Sequence, residues 1–391
     1  MQRLHYIFIS KASRTSVASL LSILTPIYLV RLGYSALYVG IGLTAILAGN
    51  AFFNILLIWY GDYLGRKRSL LVFSLLVIVS GVLLSSTIFL PLILLGLFLG
   101  NISTTGTEAG PFQSIETGVL PILEPEERRN RAFGVYNFVG YGASSIGAFA
   151  ASVPDYFQDS LLASRLLYLV YGLVGVLLLV IYRRIGNIES QETGPRKIGL
   201  GNVRLEARRD ITKLSLFYSI DAFGGSLVSQ FVLSYWFNQV YKVSLSSLGE
   251  IFLAVNVVTA FSTLAAPVLA ERLGNLRTMV STHLLSNVFL IMVPLAGSFL
   301  AAIAFLFLRQ SISQMDVPTR QAFMAQLFTD QERVPANAVT NTSRSLSGTL
   351  GGPLTAIMFS VGAASLPILT GGFSKILYDL LVFHSYRKKV V

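Results

Sequence analysis

Long apolar runs, separated by short stretches of charged and turn-forming residues, follow one another along almost the whole chain. Each run has close to the roughly 20 residues, or more, that an α-helix needs to cross the ~30 Å hydrocarbon core of a bilayer. The runs predict twelve membrane spans in two sets of six. The first set lies at about 7–32, 37–60, 69–87, 90–121, 131–152 and 164–183; the second lies at about 211–240, 244–271, 276–296, 298–328, 337–362 and 365–384.

The composition favours a membrane protein and argues against several other classes. Hydrophobic residues make up 53% of the chain and charged residues only 13%, whereas about 25% are charged in a typical soluble domain. The absence of cysteine excludes disulfides and thiolate metal sites, and the three histidines share no metal-ligand spacing. The sequence contains neither an ATP-binding Gly-x-x-x-x-Gly-Lys-Ser/Thr loop nor a recognisable catalytic set. We therefore expect no cofactor, no metal and no enzymatic activity.

The basic residues lie mainly on one side of the predicted spans. The chain has 30 Lys and Arg against 19 Asp and Glu, and a cytoplasmic N-terminus would place most of the 30 in cytoplasmic segments. This distribution follows the positive-inside rule, so the positive charge reflects topology in a bilayer and not binding to nucleic acid. It predicts a multi-pass protein of the plasma membrane with both termini in the cytoplasm. We expect a monomer.

A weak internal repeat divides the chain into two halves. Residues of the same type recur about 205 to 209 positions later; the aligned pairs are Asp62 with Glu271, Gly65 with Gly274, Pro111 with Pro318, Glu127 with Glu332 and Gly147 with Gly352. The repeat predicts an all-α integral membrane fold of two pseudo-symmetric six-helix bundles. We place an N-terminal bundle at 1–183, a cytoplasmic linker at 184–210 and a C-terminal bundle at 211–391. In transporters built from such repeats, the substrate lies at the repeat interface near the midplane.

Two loops resemble those of a known transporter family. The segment Asp62-Tyr-Leu-Gly65-Arg66-Lys67-Arg68 resembles the signature loop of the major facilitator superfamily, and Pro125-Glu126-Glu127-Arg128 resembles its loop between helices four and five. Weaker copies at Glu271 to Gly274 and Asp330 to Arg333 are similar to its second half. The resemblance implies secondary transport by alternating access, with helices one, four, seven and ten around a central cavity. It also implies a gating role for Asp62, Gly65, Arg66, Glu127, Arg128, Glu271, Arg272 and Gly274.

Charged residues inside the spans are the strongest candidates for function. Each costs roughly 2.5 to 3.5 kcal/mol at a helix centre on insertion scales, so it normally faces a cavity or a partner. The charged residues that we single out within the spans are Arg14, Glu108, Glu116, Asp221, Arg309, Asp316, Arg320, Arg344, Lys375 and Asp379. Most of them lie in the helices that the resemblance places around the cavity. We therefore expect coupling or substrate binding by Glu108, Asp221, Arg309, Asp316, Arg320, Glu116 and Arg14.

Glu108 is the first candidate for proton coupling. It lies near the middle of span four, next to Gly110 and Pro111, which interrupt regular helix. The alternative is a buried ion pair between Glu108 and Arg309. In a continuous tenth helix, Arg309, Asp316 and Arg320 would share one face, where they bind an anionic ligand or form an internal network.

Other polar and aromatic residues in the spans favour structural roles. Arg14 and Glu116 lie nearer the cytoplasmic side, where they would snorkel as gate or anchor residues. Lys375 and Asp379 are four residues apart, so they would neutralise each other on one helix face. Trp236, with Tyr235 and Tyr241 near the outer end of span seven, is typical of an interfacial aromatic belt.

These patterns favour proton-coupled secondary transport of a small organic solute, because several carboxylates within the spans suit coupling. A facilitative uniporter and a transport-inactive sensor or scaffold of the same fold stay open as alternatives. The partners that we expect are a small-molecule substrate, protons and the lipid bilayer. Nucleic acid is not among them.

The predicted topology can be tested at the C-terminus. The even number of spans and the inward basic residues place Val391 in the cytoplasm. A fluorescent reporter fused after Val391 should therefore be active, and a reporter that works only after export should be silent. Activity of the exported reporter alone would exclude twelve spans with a cytoplasmic N-terminus.

Overall fold

The computed structural model describes residues 2–107, 110–123, 126–186, 188 and 204–388. All of the regular secondary structure in these residues is helical. The helices of the first half are α1 (Gln2–Arg31), α2 (Ala36–Leu64), α3 (Arg66–Ser86), α4 (Leu90–Leu99), α5 (Pro111–Leu123), α6 (Glu126–Ala150), the short 3₁₀ helix η1 (Val153–Tyr156) and α7 (Ser160–Arg184). Those of the second half are α8 (Leu205–Leu227), α9 (Gln230–Tyr241), α10 (Leu245–Leu273), α11 (Asn275–Leu295), α12 (Phe299–Gln310), α13 (Asp316–Leu327), α14 (Asp330–Thr349), α15 (Gly351–Ser360) and α16 (Leu366–Tyr386).

Each predicted span coincides with one helix or with two consecutive helices. Among the described residues, eight helical stretches are long and apolar enough to cross a membrane, and α4 and α12 are shorter apolar helices within longer spans. The all-α fold predicted from the sequence is confirmed. The structure differs from the prediction in that spans four, seven, ten and eleven are each interrupted.

The interruption of span four lies between α4 and α5. Its backbone has positive φ at Asn101 (51°), Gly106 (75°) and Gly110 (159°), a region that glycine enters without steric cost. Several carbonyl groups freed by the break accept hydrogen bonds from other helices: that of Gly100 from Tyr171 Oη, Ile102 from Asn50 Nδ2 (2.8 Å), Thr104 from Phe231 N (3.0 Å) and Gly106 from Ser144 Oγ (2.6 Å). Irregular backbone at membrane depth is tolerated under this condition.

Three further interruptions lie in the second half. Span seven breaks at Val228, and the Ser229 hydroxyl accepts from the backbone N–H of Val232 (3.4 Å) to begin α9. Span ten loses α-helical geometry over residues 311–315, and span eleven breaks at Leu350. The sequence predicts loosening in span four from its glycines and proline. In span ten, Pro318 is the counterpart of Pro111 and lies in the first turn of α13, where its missing N–H interrupts the preceding helix.

The chain divides into two compact units. Unit 1 consists of Met1–Pro195, Ser229–Ala254 and Phe359–Gly362, and unit 2 consists of Arg196–Val228, Val255–Met358 and Ala363–Val391. The predicted bundle boundaries at 183 and 211 stay a prediction. Within unit 1, α1 packs on α6 so closely that a Cβ on Gly147 would overlap the backbone oxygen of Ser16, whereas one on Gly142 would meet nothing within 4 Å. Small residues permit such close approach of membrane helices.

Segments from both halves of the sequence meet in unit 1. Asp155, in η1, pairs with Arg31 at the end of α1 and accepts from the backbone N–H of Ser246 in the first turn of α10 (2.7 Å). Gln230 Nε2 in α9 donates to Ser19 Oγ in α1 (3.4 Å). Because α9 packs on α1, its aromatic residues are covered by protein: Trp236 is 1% and Tyr235 4% exposed. The predicted interfacial belt at these residues is wrong.

In unit 2, α8, α11, α13 and α16 share an apolar core that includes Phe217, Tyr218, Met279, Phe323 and Tyr378. A bidentate ion pair outside the spans ties the residue before α8 to the first turn of α14. Arg204 Nε and Nη2 donate to Glu332 Oε1 (2.7 Å) and Oε2 (2.9 Å). Glu332 also accepts from the backbone N–H of Thr329 (3.2 Å) in a capping box. The bonds to Arg204 and Thr329 lower the pKa of Glu332 to about 2, so this carboxylate stays charged at any physiological pH.

Candidate functional site

Glu116 of α5 is the centre of a buried ion-pair network in unit 1. Its side chain is fully covered and pairs with Arg14 of α1. It accepts hydrogen bonds from Ser10 Oγ (2.7 Å), Tyr182 Oη (2.8 Å) and Tyr136 Oη (3.0 Å), which come from α1, α7 and α6. Four donors from three neighbouring helices therefore compensate the desolvation of this carboxylate.

The cations beside Glu116 are buried as well. Arg14 Nε donates to Ser10 Oγ (3.1 Å), and its guanidinium lies 4.8 Å from the centre of the Phe112 ring. The Nζ of Lys11 lies 4.7 Å from the centre of the Tyr136 ring. Arg14 and Lys11 are each 4% exposed. The expectation that Arg14 and Glu116 snorkel to the cytoplasmic surface is wrong, because their ion pair and the tyrosine hydroxyls replace contact with water.

Asp221 of α8 is the centre of a second network, in unit 2. Its carboxylate lies 2.6 Å from Lys375 Nζ of α16, 3.0 Å from Arg344 Nη1 of α14 and 3.5 Å from Arg320 Nη1 of α13. Arg320 also lies 3.3 Å from Asp316, one turn earlier in α13. Three cations thus converge on one side chain that is 3% exposed.

His283 of α11 extends this network to Asp379. Its Nδ1 lies 2.8 Å from Asp379 Oδ1, and its Nε2 lies 3.6 Å from Asp221 Oδ1 and 3.5 Å from Lys375 Nζ. Asn287 Nδ2 donates to the other Asp379 oxygen (3.2 Å). The predicted Lys375–Asp379 pair is wrong, because Lys375 reaches across to α8 and Asp379 turns to α11. Sequence reasoning missed His283, although His283 and Asn287 form a polar pair four residues apart within an apolar span.

Arg309 is not part of this network. The predicted common face of Arg309, Asp316 and Arg320 requires a continuous helix, and residues 311–315 interrupt it. Asp316 and Arg320 therefore lie together at the start of α13, whereas Arg309 lies in the last turn of α12. Glu108, the first coupling candidate, lies outside the described residues, so its predicted pairing with Arg309 stays untested.

The two networks occupy related positions in the sequence repeat. Arg14 and Asp221 are 207 residues apart, the same separation as Pro111 and Pro318. In each unit, this residue pairs with an oppositely charged residue from the fourth or tenth span: Glu116 for Arg14, and Arg320 for Asp221. These two partners are 204 residues apart, so they align to within one helical turn. Each half therefore has a buried ion pair between corresponding spans, with the charges exchanged.

The predicted gating loops are only partly described. Gly65 precedes α3 with φ 82°, and Gly274 precedes α11 with φ 81°, so both loops end in the same left-handed glycine. Arg66 Nη1 donates to the Gly118 carbonyl (3.4 Å). Glu271 and Arg272 are exposed and make no hydrogen bond or ion pair within the described residues. The side chains of Asp62, Glu127 and Arg128 lie outside the described part of the chain.

The arrangement offers ion-pair chemistry and no evident metal site. In the described ranges, no group of three or more His, Asp and Glu side chains could hold a metal ion. The networks instead present carboxylates whose charge is balanced by adjacent cations, with an imidazole that can hold a proton on either ring nitrogen or on both. Such a set can exchange protons when its ion pairs rearrange.

Comparisons with known proteins relate this chain to membrane proteins. A family model described as Major Facilitator Superfamily matches residues 7–352. An uncharacterized membrane protein of Saccharomyces cerevisiae is 23% identical over an alignment of 381 residues. The match covers 88% of this chain and 85% of that protein.

Solved structures of transporters share the fold. The nucleoside transporter NupG superposes with a TM-score of 0.75 at 10% identity, covering 99% of this chain and all of that one. A D-xylose-proton symporter gives 0.72 at 13% identity, covering 100% of this chain and 96% of that one. A bacterial homolog of the human lysosomal transporter Spinster, inward-facing and occupied, gives 0.70 at 14% identity over 98% and 96% of the two chains. At these identities the similarity shows the fold alone.

The unit 1 network predicts strong energetic coupling between Arg14 and Glu116. Glu116→Gln removes the charge that balances Arg14 and should lower stability by about 3 kcal/mol or more, the usual cost of breaking a buried pair. The double variant Arg14→Gln, Glu116→Gln removes both charges and should lose much less than the sum of the single losses. Thermal unfolding of the purified variants measures both effects. Glu250→Gln, at an exposed position of α10, is the control; additive losses in the double variant would contradict the pairing.

Proposed function

Because the chain belongs to the Major Facilitator Superfamily, we propose that it is a proton-coupled secondary transporter that moves a small organic solute by alternating access. Family and fold point to a multi-pass membrane transporter rather than to an enzyme. The proposal further places the chain in the plasma membrane as a monomer with both termini in the cytoplasm. The single observation that carries the proton coupling is the network around Asp221.

Asp221 keeps its charge while three cations lie within 3.5 Å of it, so it can couple transport to protons by taking up a proton in a conformation in which these cations lie farther away. Lys375, Arg344 and Arg320 are held by the charge of Asp221, so a proton on this carboxylate removes the attraction that gathers them. The three cations come from three different helices. Protonation of Asp221 would therefore alter contacts among α8, α13, α14 and α16 at once, which links proton binding to a change in helix packing.

His283 gives the proton a second position in the same network. When only Nδ1 of His283 carries a proton and donates it to Asp379, Nε2 is an acceptor facing Lys375. When both nitrogens are protonated, Nε2 faces the Asp221 carboxylate 3.6 Å away as a cation. A protonated His283 would thus compete with Lys375 for the carboxylate of Asp221. The two states differ in which cation Asp221 binds.

Alternating access also requires contacts that can open. The contacts of α9 and α10 with α1 and η1, through Gln230–Ser19 and Ser246–Asp155, suit a closure on the outer side of the predicted topology. Hydrogen bonds of this kind can be exchanged for bonds to water, unlike the backbone-to-backbone contact of α1 and α6 at Gly147. We assign the opening motion to the polar contacts for this reason.

The alternatives differ in what they require of the buried network. A uniporter has no need of proton-exchanging side chains, and a transport-inactive sensor moves no solute at all. Proteoliposomes that contain a pH-sensitive dye separate the three functions: solute-dependent proton flux indicates coupling, solute flux without protons indicates a uniporter, and neither indicates a sensor. Nucleosides, D-xylose and organic acids are suitable first solutes.

The coupling prediction concerns Asp221. Asp221→Asn keeps the size of the side chain but cannot release a proton, so solute-dependent proton flux and pH-driven accumulation should fall by at least about tenfold, while solute exchange without a gradient persists. His283→Gln should lower the proton flux and the accumulation to the same extent. This variant keeps the contacts of Asp221 with Lys375, Arg344 and Arg320. Glu250→Gln serves as the control that removes an exposed carboxylate. Glu108→Gln belongs in the same assay, because Glu108 stays a candidate.

Persistence of pH-driven accumulation at the unmodified level in both Asp221→Asn and His283→Gln would exclude the unit 2 network as the coupling site. Loss of the flux in Glu108→Gln alone would assign coupling to span four. An Asp221→Asn protein that does not fold is distinguished by thermal unfolding, and His283→Gln then decides.

The gating prediction concerns Arg66. We propose that the loop of Asp62, Gly65 and Arg66 stabilises one conformation of unit 1, supported by the Arg66 bond to the Gly118 carbonyl in α5. Arg66→Ala and Asp62→Asn should lower solute turnover by about tenfold, which corresponds to roughly 1.4 kcal/mol in the rate-limiting change, and should affect apparent affinity less. Arg68→Ala removes an equal charge in the same turn, where the side chain is exposed, and is the matched control. Equal turnover in all of these variants would reduce the loop to a membrane anchor.

A further inference from the structure

Most of the charged side chains that we single out within the spans have a partner of opposite charge in the structure. Arg14 pairs with Glu116, Asp221 with three cations and Asp316 with Arg320, and Asp379 Oδ1 lies within hydrogen-bonding distance of His283 Nδ1. Among the described members of this set, Arg309 is the exception. It lies within 4.0 Å of no carboxylate in the described part of the chain.

The surroundings of Arg309 are polar but neutral. Its Nη1 donates to the side-chain oxygen of Gln310 (2.7 Å), and Ser313 Oγ donates to the same oxygen (2.8 Å). Its Nε is fully covered and has no acceptor. Its Nη2 has no acceptor among the described residues and is not fully covered, so these N–H groups are open to a ligand.

Gln310 supplies a second open donor. Because Oε1 of Gln310 accepts from both Arg309 and Ser313, the orientation of the amide is set by its hydrogen bonds. The amide nitrogen is then directed away from these two donors and donates no hydrogen bond within the described ranges. A guanidinium and an amide N–H side by side are complementary to the oxygens of a carboxylate or a phosphate.

The neighbouring network has no spare carboxylate for Arg309. The three aspartates Asp221, Asp316 and Asp379 are matched by the cations Arg320, Arg344 and Lys375, with His283 between them. A carboxylate moved to Arg309 would leave one of these cations unbalanced. Within the described ranges, no carboxylate is left to balance Arg309. Glu108 lies outside these ranges, and the first test below separates a pairing with Glu108 from binding of a ligand.

We propose that Arg309, with the Gln310 amide, binds the anionic group of the transported solute, and that the solute is accordingly an organic anion. This inference rests on the proposed transport function and specifies its substrate class. The location agrees with it: Arg309 ends α12 at the interruption of span ten, where regular helix gives way to residues 311–315. Interrupted helices are recurrent ligand-binding elements in transporters.

The first test needs no ligand. An unpaired arginine retained for a ligand destabilises the empty protein, whereas a paired arginine stabilises it. In anion-poor buffer, Arg309→Gln of the full-length protein should therefore unfold at the same temperature as the unmodified protein or higher, and Arg320→Gln should unfold at a lower temperature. A lower unfolding temperature for Arg309→Gln would show that the protein itself satisfies Arg309 and would overturn the proposal.

The second test measures anion binding by thermal shift at constant ionic strength. The probes are succinate, citrate, glycerol 3-phosphate and inorganic phosphate, with uncharged succinamide for comparison. At least one organic anion should raise the unfolding temperature of the unmodified protein by about 2 °C or more, succinamide should not, and Arg309→Gln should lose the shift. Arg309→Lys keeps the charge without the planar fork and should retain a smaller shift. Arg277→Gln, at an exposed cytoplasmic arginine, controls for anions at the surface.

The outcomes separate this inference from the transport function. A shift by inorganic phosphate alone, a shift that survives Arg309→Gln, or no shift with any organic anion would overturn the inference. If the unmodified protein moves an uncharged solute with protons in liposomes, the transport function stands and the anionic substrate class falls. If organic anions bind through Arg309 but no flux occurs, the binding site stands and the transport function falls.

Discussion

The cost of placing a charge in the interior of a bilayer is the constraint on which the described structure depends. Each of the two units meets it by gathering opposite charges and hydroxyl groups from several helices around one carboxylate. Glu116 receives four donors in unit 1, and Asp221 receives three cations in unit 2. Such networks contribute little net stability by themselves, but loss of one member is expensive. They therefore fix which helices can be neighbours.

The sequence predicts the elements well because membrane helices are set by local composition. The apolar runs, the basic residues in the segments that connect them and the repeat at about 205 to 209 residues are enough to predict the spans and the all-α class. The breaks are harder. Those in span four follow from Gly106, Gly110 and Pro111. The break over residues 311–315 contains no glycine or proline, but Pro318 follows it in the first turn of α13 and cannot donate to the carbonyl of Gln314.

The partners of the buried charges are likewise a property of tertiary packing. Sequence spacing pairs Lys375 with Asp379, since both lie on one face of α16. In the structure each of them contacts a different helix instead: Lys375 donates to Asp221 of α8, and Asp379 contacts His283 of α11. Tertiary packing also explains why Trp236 is buried and not at the membrane interface. The helix α9 that contains it packs against α1, and the sequence of α9 alone does not predict this contact. Candidate residues could thus be identified from the sequence, whereas their partners could not.

The exchanged charges at Arg14 and Asp221 have a consequence for how the two halves of a duplicated protein can diverge. Both halves have a buried ion pair between corresponding spans, and the sign at each end differs between the halves. One copy can then keep a closed, hydroxyl-lined pair such as Arg14–Glu116, while the other accumulates extra cations and a histidine around Asp221. In a fold built from two such halves, one half can keep a fixed ion pair while the other half changes its ion pairs, with the same helix packing in both.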